Sequence, residues 1–225
     1  TPLELLPFSS PASHALFEYG RGMREERTKN PKDDLVTTLV EAEDDGDPLS
    51  DFDFTNMFHV LVFAGNETTR TAISNGIDAF IHHPDQLELL YKRPELVDNA
   101  VEEIIRWATP VMYMRRTATK DTVLHGVPIK ENDKVVMWYA SANFDDTEFA
   151  NPLSFDITRD IRPPQVSFGA KGPHHCLGAP LARIEIKILL EEMIKQGIHF
   201  EGNGDVIRTN SNFVNGIASL PARVL

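Results

Sequence analysis

Cys176 is the sole cysteine in 225 residues, and its surroundings are those of a reactive group. It sits in FGAKGPHHCLG (residues 168–178), where three glycines and a proline make a tight loop, and a helical pattern, APLARIEIKILLEE, follows at once. A lone cysteine is by default a small buried hydrophobe, and a single one excludes an intramolecular disulfide. At a helix start, however, first-turn N–H groups and the helix dipole stabilise negative charge, so a thiol there is readily a thiolate. Cys176 therefore reads as a nucleophile or a metal ligand. A zinc site of His174, His175 and Cys176 is the competing assignment. Zinc needs about four ligands, usually in spaced pairs, and the sequence offers no second cluster.

Three other groups could do chemistry. Glu103 and Arg106, in EIIR, are spaced i, i+3; alone, such a pair is a solvent-facing helix ion pair. AGNETT (residues 64–69) places Gly65, Glu67 and Thr68 inside an apolar helical stretch. Gly65 costs about 1 kcal/mol there against alanine, and Glu67 is a charge in a segment expected to be buried. A kink with a backbone-bonded hydroxyl is the simplest account. YMRRTATKD carries Arg115 and Arg116; a planar guanidinium suits carboxylates.

The elements that must position these groups follow from periodicity and punctuation. Residues 12–27 and 33–43 read as helices, and EAEDDGDPLSD (41–51) as an acidic solvated loop. A long helix spans about 52–82, capped by Ser50 or Asp51 and followed by Pro84. Between Val60 and Ala64 it is apolar nearly all round, as in a helix crossing the interior of a large protein. Residues 84–92 and 94–107 form two helices with proline at the first position. Strands follow over 111–116, 122–124, 127–129 and 134–139. Residues 142–165 are irregular, 177–196 are the last helix, and 199–225 form short strands and turns. There is no internal repeat.

Taken together and in this order, the groups resemble the cytochrome P-450 superfamily. Phe168, Gly172, His174, Cys176 and Gly178 match its ligand loop, with one residue more than the commonest spacing between Phe168 and Cys176. The resemblance implies that Cys176 is the axial iron ligand of haem b. It implies that Glu103, Arg106 and Arg159 (in FANPLSFDITR) form a network shaping the proximal side, where Phe144 stands in place of a more usual arginine. Gly65 would let the long helix approach the porphyrin. Thr68 would hydrogen-bond the O2 being reduced, and Glu67 would relay protons to it. Arg116 and His174 would meet the haem propionates. Val111 and Met112, in VMYM, and Phe213 and Val214, in FVNGI, would line the substrate pocket. The implied fold is mainly α with small β-sheets, the C-terminal part of the cytochrome P-450 fold: long distal helix, E-x-x-R helix and cysteine ligand loop. Residues 1–225 would be the haem-binding part of one such domain, with the N-terminal part absent.

The function implied is a haem-thiolate monooxygenase that activates O2 to hydroxylate a hydrophobic substrate, a sterol side chain or a methyl-branched lipid. Electrons would come from NAD(P)H through a ferredoxin reductase and a ferredoxin. An alkane or fatty-acid ω-hydroxylase is the alternative substrate class. A peroxygenase or isomerase would not need the Glu67–Thr68 pair. A non-catalytic haem-thiolate sensor, or an inert truncated piece, is the non-enzyme alternative. The formal net charge of −12 disfavours nucleic acid, which needs a basic surface. No run is apolar enough for a membrane span, and no signal peptide is evident at the N-terminus. With a single cysteine, this points to a cytoplasmic location.

Overall fold

Glycine, proline and capping side chains set where the elements begin and end. The computed structural model describes residues 10–169 and 172–225. The chain divides into two compact units, Thr1–Asn66 and Glu67–Leu225.

The first unit contains α1 (Pro11–Lys29), α2 (Leu35–Val40), the strand pair β1 (Glu43–Asp44) and β2 (Asp47–Pro48), and the start of α3 (Asp51–His82). Helix α2 is shorter than the expected 33–43. Asp34 caps it by accepting the Thr37 N–H at 2.8 Å, so the helix cannot begin before residue 35. The acidic segment after it is a small antiparallel hairpin rather than a loop. Asp45 and Gly46 both have positive φ (52° and 89°), the geometry that two-residue hairpin turns require. Phe54, Phe58 and Leu39 form this unit's core, with Leu16, Met23 and Leu49 against it. A methyl at Gly20 would lie 2.9 Å from the Phe58 ring, so only glycine lets α1 come this close to α3.

Helix α3 is unbroken through AGNETT. Its apolar stretch is not buried as expected: Val60, Val62 and Phe63 are exposed. The sequence pattern of an interior helix is present there without a cover.

The second unit continues with α4 (Pro84–Lys92), a 3-10 turn at Pro94–Leu96 and α5 (Val97–Ala108). The expected helix over 94–107 is thus split, because Val97 donates its N–H back to Pro94 in the tighter turn. Val97, Ala100, Val101, Ile104, Ile105 and Ala108 share one helical face and are buried. Thr109, with φ 36°, ends α5, and Pro110 prevents its continuation. β3 (Tyr113–Thr117) pairs antiparallel with β6 (Lys134–Trp138), and the β4 (Thr122–Leu124) and β5 (Val127–Ile129) hairpin lies between them in sequence. Tyr139, expected at a strand end, instead opens a short helix, α6 (Tyr139–Asn143). After the loop that carries Cys176 comes α7 (Ala179–Gln196). The tail forms two small antiparallel pairs. β7 (Phe200–Gly202) lies beside β10 (Ala222–Val224), and β8 (Ile207–Arg208) beside β9 (Ile217–Ser219).

The main core joins α3, α5 and α7 through Ala72, Phe80, Ile104, Ile105, Ile186 and Leu190. A methyl at Gly76 would stand 2.9 Å from the Ile104 side chain. Among the described residues no helix is long and apolar enough to cross a membrane. The mainly helical architecture with small sheets is the fold class expected.

Candidate functional site: the Cys176 loop and its supports

The loop is built from backbone that only glycine adopts readily. Gly169 and Gly172 have φ of 82° and 153°. Ala170 and Lys171 lie outside the described residues. The Cys176 N–H donates to the Phe168 carbonyl at 3.0 Å, and the Cys176 carbonyl accepts the Ala179 N–H at 3.2 Å. The cysteine is thereby pinned between the loop's start and the first turn of α7. Its thiol is exposed. A methyl at Gly178 would sit 3.9 Å from Sγ, so glycine keeps the sulfur's flank open. Gly178 itself is the N-cap of α7 and provides no side-chain cap. His174 is exposed in the same loop.

What could this thiol hold? Among the described residues no three His, Cys, Asp or Glu side chains are grouped to share a metal ion. The donor set is one soft sulfur at an open surface. That set fits a metal already enclosed by a planar macrocycle, which needs a single axial protein ligand. It does not fit a bare tetrahedral zinc.

Beneath the loop lies a buried charge network. Glu103 and Arg106 have side chains only 2% exposed and meet through two contacts, at 2.7 and 2.8 Å. Arg159 donates to Glu103 at 3.0 Å. The remaining valences are filled by backbone: Arg106 donates to the carbonyls of Asn143 and Pro152, and Glu103 accepts the Asp156 N–H. The pair is therefore not the exposed helix ornament that its spacing alone describes. The Arg106 guanidinium also lies 5.0 Å from the Phe144 ring centroid, so the aromatic residue in that position contacts the network.

Asn143 was not singled out from sequence, yet it is wholly buried and joins the network to the loop. It donates to Thr109 Oγ1 and Ser167 Oγ and accepts the Val166 N–H at 2.8 Å. Ser167 in turn donates to the Ile105 carbonyl. Its position at the end of α6, a helix that sequence reasoning missed, hid it.

On α3, Thr68 is half-buried and Gly65 exposed; a methyl at Gly65 would meet nothing within 4 Å. Glu67 differs from expectation. It is partly exposed, and Arg70, one turn on, donates to both its oxygens at 2.7 and 2.6 Å. The i, i+3 arginine is why a carboxylate is tolerated here.

The two apolar segments do come together. Val111 and Val214 form an antiparallel bridge, and Met112 donates its N–H to the Phe213 carbonyl at 2.9 Å. The Tyr113 and Phe213 rings meet edge to face at 5.5 Å. Asn215 anchors the turn by donating to the Ala108 carbonyl, and Asn75 on α3 donates to the Asn215 carbonyl. Arg116 is exposed on β3 and donates to the Arg115 carbonyl. Arg115 is equally exposed, so exposure does not separate the two arginines.

Comparison with known proteins adds to this geometry. A family model described as Cytochrome P450 matches residues 90–201. A steroid C26-monooxygenase of Rhodococcus jostii (strain RHA1) is 48% identical over 206 residues, covering 92% of this chain and 43% of that protein. A methyl-branched lipid omega-hydroxylase of Mycobacterium bovis (strain ATCC BAA-935 / AF2122/97) is 44% identical over 204 residues, covering 90% and 47%. Among solved structures, a Mycobacterium marinum cytochrome P450 in complex with pseudoionone superposes with a TM-score of 0.87 at 41% identity. It covers 93% of this chain and 50% of that one. The chain spans about half the length of the relatives it matches.

Proposed function

Since the chain belongs to the cytochrome P450 family, we propose that residues 1–225 are the haem-binding part of a monooxygenase that hydroxylates a sterol side chain or a methyl-branched lipid. The observation that carries this reading is Cys176, an exposed lone thiol in a glycine loop tied by hydrogen bonds to the start of α7. Haem, when bound, supplies the oxygen-activating chemistry, which electron donation from a thiolate ligand favours.

The protein's own groups then divide the work. Cys176 would hold the iron of a bound haem through its exposed sulfur. Arg116 and His174, both exposed, would provide donors for the carboxylates of a bound haem. Thr68 would offer its hydroxyl as a hydrogen-bond donor beside bound O2, and Glu67, one residue before it, would be the proton source. Arg70 engages both oxygens of Glu67 and fixes where the carboxylate sits. Val111, Met112, Phe213 and Val214 present an apolar wall to the substrate. The names of the two relatives support a lipid or sterol as the substrate class. A ferredoxin, reduced by a ferredoxin reductase at the expense of NAD(P)H, would be the electron donor, in a cytoplasmic setting.

The test is a reduced CO-difference spectrum of the haem-loaded protein and of Cys176→Ala. The wild type is expected to show the red-shifted band of a thiolate ligand, and the variant to lose it. A thiolate-type band surviving in Cys176→Ala would overturn the assignment.

A further inference from the structure

We infer that Arg183 is a positioning residue for the cysteine loop, acting through Phe168, with Glu102 as its holder. The inference rests on Cys176 being the haem ligand. Glu102 stands next to Glu103 but faces different partners, because successive residues on a helix are turned about 100° from each other. While Glu103 turns to Arg106 and Arg159, Glu102 accepts from Arg183 Nε and, at 3.2 Å, from Arg183 Nη2. The same carboxylate accepts from Gln165 Nε2 at 3.1 Å, and Gln165 Oε1 accepts the Ser167 N–H at 2.7 Å. One carboxylate thus ties α5 to α7 and to the segment leading into the loop.

The guanidinium held in this way lies 4.5 Å from the centroid of the Phe168 ring. Phe168 is the residue whose carbonyl takes the Cys176 N–H. The hydrogen bond joins the two residues directly across the loop, in which Gly169 and Gly172 have positive φ. Where Phe168 sits therefore decides where the Cys176 backbone, and with it Sγ, can sit. A partly exposed ion pair between two helices ordinarily contributes little. Lys187 and Asp98, one turn further along the same two helices at 2.8 Å, form such a pair. Arg183 differs in its planar face: arginine stacks on a ring where lysine presents a point charge.

Three variants of the haem-loaded protein separate the roles. Arg183→Lys keeps a cation for Glu102 and loses the planar face. Phe168→Leu keeps the ion pair and loses the ring. Lys187→Ala removes the neighbouring bridge as a control. The readouts are the thiolate share of the reduced CO band, the haem reduction potential and the melting temperature. Arg183→Lys and Phe168→Leu are expected each to convert much of the thiolate-type band to the blue-shifted form and to displace the potential. Their double variant should go no further than the worse single one, because the two residues act as one unit. Lys187→Ala should leave both spectral readouts unchanged. A wild-type band and potential in Arg183→Lys would overturn the inference and leave Arg183 a brace between helices. Should Arg183→Lys not load haem, an unaltered spectrum in Phe168→Leu would overturn it equally. Failure of the underlying reading looks different: the wild type itself would then lack the thiolate band.

Discussion

Glu103 and Arg106 show how far a residue pair can be read without its surroundings. Their i, i+3 spacing gives a salt bridge on any helix; only burial to 2% on both sides and five further backbone and side-chain contacts make it a keystone. Removing one partner leaves the other charge buried and unpaired, which costs about 3–5 kcal/mol. Glu103→Ala or Arg106→Ala is therefore expected to lower the melting temperature sharply and to abolish haem incorporation. Normal melting and loading in either variant would show that the network is dispensable. Thr68 carries a different expectation. A positioned proton donor contributes roughly 10²–10⁴-fold, so in a chain extended to the length of the relatives Thr68→Ala should bind haem as the unsubstituted chain does yet lose most of its product per NAD(P)H consumed, the balance appearing as peroxide. Unchanged coupling would remove Thr68 from the chemistry. At this scale the sequence placed what lies close along the chain: Cys176 just before a helix, and Glu103 one turn before Arg106. It was silent on Asn143, and on Glu102 with Arg183, because partners far apart in the chain meet only in the folded structure.

At the scale of elements, local chemistry decided most boundaries. The prolines at 84 and 94, the turn at Thr109-Pro110 and the N-cap Ser10 each mark an end that periodicity alone leaves vague. The misses have the same origin. Residues 33–43 have helical character, but Asp34 closes one end as a cap and the Asp45-Gly46 turn folds the other into a hairpin. Asp34 also supplies a pH prediction. The backbone N–H of Thr37, and then the Arg27 side chain, hold its carboxyl down at about 2 from the ordinary 3.8. A folded-state value below the unfolded one stabilises the fold above the unfolded value, and the contribution is lost as pH falls through the folded value. The cap of α2 should thus be intact above pH 3.8 and fade as the pH approaches about 2. Following the Thr37 amide by NMR across an acid titration checks this. A midpoint at or above the ordinary carboxyl value would show that Asp34 is not held as a cap in solution.

At the scale of the whole molecule, helices are patterned for more partners than these 225 residues supply. Helix α7 buries Ile186, Leu190 and Met193 on one side, yet Leu181, Ile184 and Ile188 are exposed on another. Residues so spaced, at i, i+3 and i+7, form a single stripe. Val60, Val62 and Phe63 repeat the situation on α3. Helices apolar on more than one side belong in the interior of a larger protein, and the chain spans about half of each relative. An open apolar surface of this kind promotes association. On the proposed function, haem held at such a surface would be open to water, which weakens the control that a closed pocket exerts over proton delivery. Misplacing reacting groups by even ~1 Å can cost about 10²-fold in rate. The 225-residue chain by itself is therefore expected to hold haem weakly and to turn over at least about 10²-fold more slowly than a chain extended to the length of its relatives. The comparison needs both chains, haemin, a ferredoxin, its reductase, NADPH and a sterol, with hydroxylated product counted by mass spectrometry. Equal turnover would mean that the catalytic unit is contained in these residues, and that the exposed stripes on α3 and α7 serve something other than enclosure.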